Sequence, residues 1–391
     1  MCLADWLSSM TFPAAQFITP DDCYDAAMLG LIEGIRSGIT TNLDYMYPHP
    51  TDGLDERVID AMIDAGVRGI FGRGCMDTGL QFGVKERITE TPETIEKRLV
   101  PLFDRYHGCE NGRIRLWTAP AALWSNSSRN LALLWRMAEA YGSGLTCHVS
   151  ETPFDRQSVQ TLHGTDELSL LESLGIVGPN VLLVHAVHLT ASDIEKAARH
   201  GLCVSHNAAS NMYLSSGVAP IPALLEAGVT VGLGVDGAAS NNSQDMLELM
   251  KLTALLQKVH TLDPTSISAE KVLEMATLDG ARALGLEAEI GSLETGKKAD
   301  LVVFNPLRSP KSIPAHNPVS TLVYASTTAN VESVYVDGKA LLLDGRLTVV
   351  PDEAVFLQRA AATAERLAAR AGITNRGSGH PWNRRHLGAR R

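Results

Sequence analysis

The segment NVLLVHAVHLTASDIEKAARHGLCVSHNAAS, residues 180–210, contains two short apolar runs separated by a polar stretch of helical spacing. The runs extend from Asn180 to Val184 and from Gly201 to Ser205, and their β-branched residues and flanking glycines favour strands. A strand, a helix and a second strand in this order form one unit of a parallel sheet. The segment therefore predicts an α/β fold.

The same alternation extends in both directions, from about residue 21 to about residue 234. The polar stretches between the strands have helical spacing, and most end at a glycine that suits a left-handed C-cap. Seven predicted strands, preceded by a helix from Asp22 to Ser37, favour a (β/α)8 TIM-like barrel that lacks its first strand. The other predicted strands are Ile39–Leu43, Val67–Gly72, Arg113–Thr118, Gly144–Val149 and Val229–Val235.

The pattern of the chain changes near residue 287, which predicts further units after the barrel. We assign residues 1–287 to the barrel and residues 288–350 to part of a C-terminal β-sandwich, where Asp337 and Gly338 form a hairpin signal. Residues 351–391 are predicted to form an alanine-rich helix and a basic tail. A barrel of roughly 250 residues plus a small accessory unit fits the length of 391 residues.

Charge and hydropathy exclude several classes of partner. The net charge of −10, from 34 basic and 44 acidic residues, would repel a nucleic-acid backbone. No apolar run approaches the roughly 20 residues that span a bilayer, so we expect no membrane partner. The first residues, MCLADWLSSM, lack the basic start of a signal peptide, so we expect a cytoplasmic protein. We also expect the chain to form a homo-oligomer.

Ionisable residues are concentrated where the predicted strands end. His148 and Glu151 follow one strand, His185 ends the next, and Asp236 follows the last. Because the carboxyl ends of parallel strands meet at one mouth of a barrel, these side chains should converge. His148 and Asp236 have the chemistry of divalent-metal ligands, and Glu151 is placed to move protons. His206, by contrast, could equally be a core histidine.

Several motifs together resemble the amidohydrolase superfamily, in the group that holds S-adenosylhomocysteine and methylthioadenosine deaminases, guanine deaminases and triazine hydrolases. The resemblance covers nearly the whole chain up to about Leu347. The motifs are the HxxE of residues 148–151, HAVHL at 185–189, SHNAASN at 205–211, VGLGVDGAASNNSQDMLELMK at 231–251 and GSLETGKKADLVVF at 291–304.

The resemblance implies a reaction and a set of roles. His148 and Asp236 would bind one divalent metal, Zn or Fe, and Asp236 would also accept a proton from the attacking water. Glu151 would carry a proton to a ring nitrogen, and His185 would polarise the carbon under attack. The implied reaction is hydrolytic deamination of an amino-substituted purine, pterin, pyrimidine or triazine, with release of ammonia. His185 is also predicted to bind this heterocyclic substrate, together with residues that follow or end earlier strands: Tyr45, Arg73 and Trp117.

One feature of the family is missing from the sequence. The family carries an HxH motif at the end of its first strand, and the chain contains no HxH. We therefore expect that the first strand and its two metal ligands belong to a segment before residue 1. Two alternatives stay open. The same site could remove chloride or an alkylamine from a triazine-like ring, or the chain as given could be an inactive, truncated or non-catalytic subunit.

Overall fold

The computed structural model describes residues 3–373, in which seven parallel strands form one curled sheet. Each strand pairs with the next one along the chain. All seven predicted strands are confirmed, and the last is shorter than expected, since it ends at Leu233. The strands are β1 (Thr41–Met46), β2 (Arg68–Cys75), β3 (Ile114–Pro120), β4 (Leu145–Val149), β5 (Val181–His185), β6 (Cys203–His206) and β7 (Thr230–Leu233).

Helices separate these strands along the chain, as the βα alternation predicts. Their buried side chains join those on the outer faces of the strands in one continuous core. The α/β TIM-like architecture is thereby confirmed. The helices are α1 (Leu3–Trp6), α2 (Phe12–Ala15), α3 (Pro20–Ser37), α4 (Leu54–Ala65), α5 (Pro92–Tyr106), α6 (Cys109–Gly112), α7 (Ser128–Ala140), α8 (Pro153–His163), α9 (Glu167–Ser173), α10 (Ala191–His200), α11 (Ala208–Tyr213), α12 (Ile221–Glu226), α13 (Ala238–Asn241), α14 (Met246–Thr261), α15 (Ala269–Ala276), α16 (Leu278–Ala283), α17 (Pro318–Ala325) and α18 (Glu353–Arg370).

A second, smaller core fills the inner side of the sheet. Ile70, Trp117, Leu182 and Cys203 point inward from four different strands and pack with Leu286 and other side chains at and after α16. These inward residues lie in the first halves or the middle of their strands. The apolar contacts therefore fill the interior below the strand ends, and the polar strand ends are left to form a site.

The two outer strands of the sheet differ from the inner ones. Within the described residues, β1 pairs with β2 alone and β7 with β6 alone. Every residue of β1 is half-buried, whereas every residue of β2 is buried. Helix α3, which precedes β1, also contacts the segment after β7, because the Ser37 hydroxyl lies 3.3 Å from the Gln244 carbonyl oxygen.

A separate antiparallel sheet of four strands follows the barrel strands, and each of its strands pairs with the next one along the chain. The predicted hairpin is confirmed, since Asp337 and Gly338 connect two of these strands and both have positive φ angles, 50° and 77°. Such angles match the primed turns that suit twisted strands. The strands are β8 (Leu301–Phe304), β9 (Val331–Val336), β10 (Lys339–Leu343) and β11 (Arg346–Leu347).

The C-terminal helix also agrees with the sequence. Helix α18 packs on α3, and the Thr363 hydroxyl donates a hydrogen bond of 2.7 Å to the Asp25 carboxylate. The predicted basic tail falls in residues 374–391, outside the described part of the chain. The division into three units stays a prediction. No helix in residues 3–373 is both long and apolar enough to cross a bilayer.

Candidate active site

The ends of three strands bring the four predicted catalytic and metal-binding residues together. The imidazole Nε2 of His185 lies 3.5 Å from the Glu151 Oε2 and 3.9 Å from the Asp236 Oδ2. The rings of His148 and His185 stack with their centroids 5.3 Å apart. Two imidazoles and two carboxylates thus share one small volume at the carboxyl end of the sheet.

The backbone leaves the strands in a strained conformation at this place. Ser150, His185 and Asp236 have φ angles of 50°, 72° and 64°, in the left-handed region that non-glycine residues rarely adopt. Such strain costs on the order of 1–3 kcal/mol per residue and is typically found at functional sites. Gly234 allows β6 and β7 to end close together, since a Cβ there would lie 2.4 Å from the Ser205 hydroxyl.

His148 is arranged as a metal ligand would be. Its Nδ1 donates a hydrogen bond to the Ala121 carbonyl oxygen, which leaves Nε2 as the free nitrogen. Burial and the neighbouring His185 lower the pKa of His148, so the ring is neutral and can donate an electron pair. Metal-bound histidines commonly have this bond from the second nitrogen to a carbonyl group.

Asp236 is the second candidate donor, and an imidazole with a carboxylate would suit a divalent ion in its chemistry. The Asp236 Oδ1 accepts a hydrogen bond of 2.6 Å from the Gly237 backbone N–H, and its Oδ2 faces His185. A catalytic zinc usually has three protein ligands. Across residues 3–373, no group of three or more His, Cys, Asp or Glu side chains is arranged to hold a metal. Within this part of the chain, His148 and Asp236 are the two predicted donors.

Glu151 lies in a setting that favours its protonated form. Its side chain is 4% exposed, and burial, with Asp155 and Asp236 nearby, raises its pKa to about 8. The Ser216 hydroxyl donates a hydrogen bond of 2.9 Å to Oε1, so Oε2 is the oxygen that faces His185. A carboxyl group that holds its proton near neutral pH can act as a general acid.

The predicted substrate-binding residues, apart from His185, lie in three different places. The Tyr45 ring packs on His148 with the centroids 4.5 Å apart, so Tyr45 is part of the site wall. Trp117 belongs to the inner apolar core. Arg73 is fully buried and forms an ion pair of 2.7 Å with Glu90, on the face of β2 that packs against helices. The structure thus brings Tyr45 to the four residues but places Arg73 and Trp117 elsewhere.

The comparisons with known proteins identify the family of the chain. The chain matches the model of the amidohydrolase family over residues 1–341. The chain belongs to the amidohydrolase family. It is 38% identical over 365 residues to a 5-methylthioadenosine/S-adenosylhomocysteine deaminase of Desulforudis audaxviator, covering 93% of this chain and 81% of that relative. The predicted family and the predicted class of enzyme, a hydrolase acting on C–N bonds, are confirmed.

Solved structures of two zinc-containing amidohydrolases resemble this one closely. An adenosine deaminase from Xanthomonas campestris with bound zinc has a TM-score of 0.85 at 29% identity, covering 94% of this chain and 81% of that one. An atrazine chlorohydrolase from Arthrobacter aurescens complexed with zinc has a TM-score of 0.87 at 28% identity, covering 93% and 82%. The relatives therefore include deaminases and hydrolases of nitrogen heterocycles, as the sequence predicted, and zinc in the neighbours supports a divalent metal.

Three residues of this amidohydrolase site have no role in the sequence prediction. The Asn211 Oδ1 accepts a hydrogen bond of 2.8 Å from the His185 Nδ1, and Ser216 contacts Glu151 as described above. Burial, together with the negative charges of Asp236 and Glu151, raises the pKa of Tyr47. Asn211 ends the SHNAASN motif, so a signal for it existed, but its contact with His185 depends on the folded chain.

Proposed function

We propose that this amidohydrolase is a metal-dependent deaminase that replaces an amino group on a nitrogen heterocycle with oxygen from water. The observation that carries the proposal is the convergence of two imidazoles and two carboxylates at the ends of β4, β5 and β7. Glu151 and Asp236 lie within 3.5 and 3.9 Å of the His185 imidazole, so proton donors and acceptors surround one point.

The side chains divide the steps of the reaction among them. Glu151 holds a proton near neutral pH and delivers it to the ring nitrogen next to the carbon under attack. Asp236 accepts a proton from the attacking water and passes it to the departing amino group, and the new hydroxyl returns a proton to Glu151. His185, whose Nδ1–H is donated to Asn211, accepts at Nε2 a hydrogen bond from the new hydroxyl of the tetrahedral intermediate, and ammonia then leaves. The Tyr45 ring, packed on His148, excludes water from that side of the site.

The metal would be held by His148 and Asp236, and we propose a single zinc ion. A divalent ion in this place supplies a water activated for attack at neutral pH. Zinc in two structural neighbours supports this choice over iron. Metal analysis after dialysis tests it: stoichiometric zinc supports the assignment, and a protein that retains iron alone refutes it. A chain that binds neither metal would favour the inactive alternative.

Among heterocycles we favour an aminated purine nucleoside. The support is the 38% identical relative, whose name describes deamination of two adenine nucleosides. An aminotriazine or chlorotriazine is the second candidate, supported by the resemblance to an atrazine chlorohydrolase.

An assay of the zinc-loaded chain separates these substrates. It measures ammonia released from methylthioadenosine, adenosine, guanine and an aminotriazine, and chloride released from a chlorotriazine. Ammonia from the adenine nucleosides supports the proposal, and chloride as the dominant product refutes it. The homo-oligomer and the cytoplasmic location stay predictions, which light scattering and cell fractionation test.

A further inference from the structure

Two catalytic side chains of the proposed reaction are held by one short element, α11 and the turn that follows it. Asn211 lies in α11 and contacts His185, and Ser216 lies in the turn and contacts Glu151. We propose that Asn211 and Ser216 are positioning residues that keep His185 and Glu151 in a fixed relation to each other. This inference rests on the proposed function, because it concerns the two side chains that carry out part of that reaction.

The bond from Asn211 sets the direction of the His185 ring. Asn211 is fully buried, and its Oδ1 lies 2.8 Å from the His185 Nδ1, which donates the proton. With Nδ1 held in this way, Nε2 is directed towards Glu151 and Asp236. His185 has a left-handed φ of 72°, so its backbone alone does not hold a relaxed conformation. The side-chain bond therefore limits the rotation that would move Nε2 away from the reacting atoms.

The bond from Ser216 does the same for the Glu151 carboxyl group. The Ser216 hydroxyl donates to Oε1 at 2.9 Å, and the other oxygen, Oε2, lies 3.5 Å from the His185 Nε2. Rotation of the carboxyl group would break the bond to Ser216 and exchange the two oxygens. Ser216 thus selects which oxygen faces the substrate.

Backbone hydrogen bonds connect the residue that contacts His185 with the residue that contacts Glu151. The Ser216 backbone N–H donates a hydrogen bond of 2.8 Å to the Asn211 carbonyl oxygen. The His188 Nε2 donates another of 2.7 Å to the Ser216 carbonyl oxygen, which ties the turn to the chain just after β5. Glu151 and His185 come from different strands, and their common attachment to α11 and its turn sets the distance between them.

The experiment compares matched variants of the zinc-loaded full-length chain. Ser216→Ala and Asn211→Leu should each lower kcat by about 10–100-fold, as is typical for groups that orient catalytic side chains, with KM changed by less than about threefold. Ser216→Thr keeps the hydroxyl and should stay within about threefold of the parent. Because both residues act on the same pair of groups, the double variant should lose less than the product of the single losses.

Ser210→Ala is the control for damage to α11. Ser210 neighbours Asn211 in the same helix, and its buried hydroxyl has no hydrogen-bond partner among residues 3–373. This variant should keep the parent kcat. A parental kcat in Ser216→Ala, or an equal loss in Ser210→Ala, would overturn the proposal. If Asn211→Leu does not fold, the three serine variants decide the question.

A second measurement does not depend on activity. Nitrogen-15 NMR of labelled histidines reports whether Nδ1 of His185 carries the proton. That signal should be present in the parent and in Ser210→Ala, and it should change in Asn211→Leu. An unchanged His185 signal in Asn211→Leu overturns the positioning role, whereas a parent enzyme that deaminates nothing but shows the expected signals refutes the proposed function alone.

Discussion

Replacement of His206 should make the protein less sensitive to acid. His206 ends β6 and is fully buried, and neither ring nitrogen has a hydrogen-bond partner within the described part of the chain. Burial, with His185 nearby, lowers its pKa to about 3. A histidine in an unfolded chain has a pKa of about 6.5. Below that pH, the unfolded state therefore binds a proton that the folded state does not.

The size of the effect follows from the two pKa values. A lowered pKa in the folded state means that stability is retained above about pH 6.5 and is lost as the pH falls towards 3. The loss is about 1.4 kcal/mol for each pH unit. Between pH 7.5 and pH 5.0, His206 should therefore reduce the free energy of unfolding by about 2 kcal/mol, and His206→Leu should remove this loss.

Urea unfolding of the metal-free protein at pH 7.5 and pH 5.0 measures the difference. Absence of metal ensures that acid release of a bound ion does not contribute. Val204→Ala on the same strand is the control, because it removes buried apolar volume without a titrating group and should lower stability equally at both pH values. The reasoning is refuted if His206→Leu and the parent lose the same free energy between the two pH values.

Three further predictions concern the site and the inner core. Glu151→Gln should lower kcat at least 100-fold while bound metal stays constant by elemental analysis, and activity within tenfold of the parent would disprove its role. His148→Ala and Asp236→Ala should each release the metal during dialysis, and stoichiometric metal in either variant would argue against that ligand. Gly144→Ala should lower the free energy of unfolding by about 1–3 kcal/mol, because the new Cβ would lie 2.5 Å from the rigid Trp117 ring, and unchanged urea stability would contradict that crowding.

The sequence predicted the strands, and it grouped the candidate site residues, because both depend on local patterns. Short β-branched runs bounded by turns identified all seven strands, and the parallel arrangement then required their carboxyl ends to meet. His148, Glu151, His185 and Asp236 could therefore be grouped without coordinates. The motifs indicated the family for the same reason, since each is one continuous stretch of sequence.

Which face of a strand a residue occupies was less certain, and Arg73 illustrates this. Side chains alternate between the two faces of a strand. A shift of one residue therefore decides whether a side chain points into the barrel interior or towards the surrounding helices. Ile70 packs in the inner core and Phe71 in the outer one. Arg73 lies two residues after Phe71 and is therefore on the same, outer face of the strand. Its guanidinium consequently pairs with Glu90 instead of lining the mouth.

By itself, the sequence determined the α/β class, the order of the strands and the grouping of four candidate site residues. Only the tertiary structure decided how those residues are held: the bond from Asn211 to His185 spans 26 positions, and the bond from Ser216 to Glu151 spans 65. The left-handed backbone at His185 likewise appears only in the folded chain. Local patterns encode periodicity and burial, whereas a hydrogen bond between distant residues depends on the packing of every element between them.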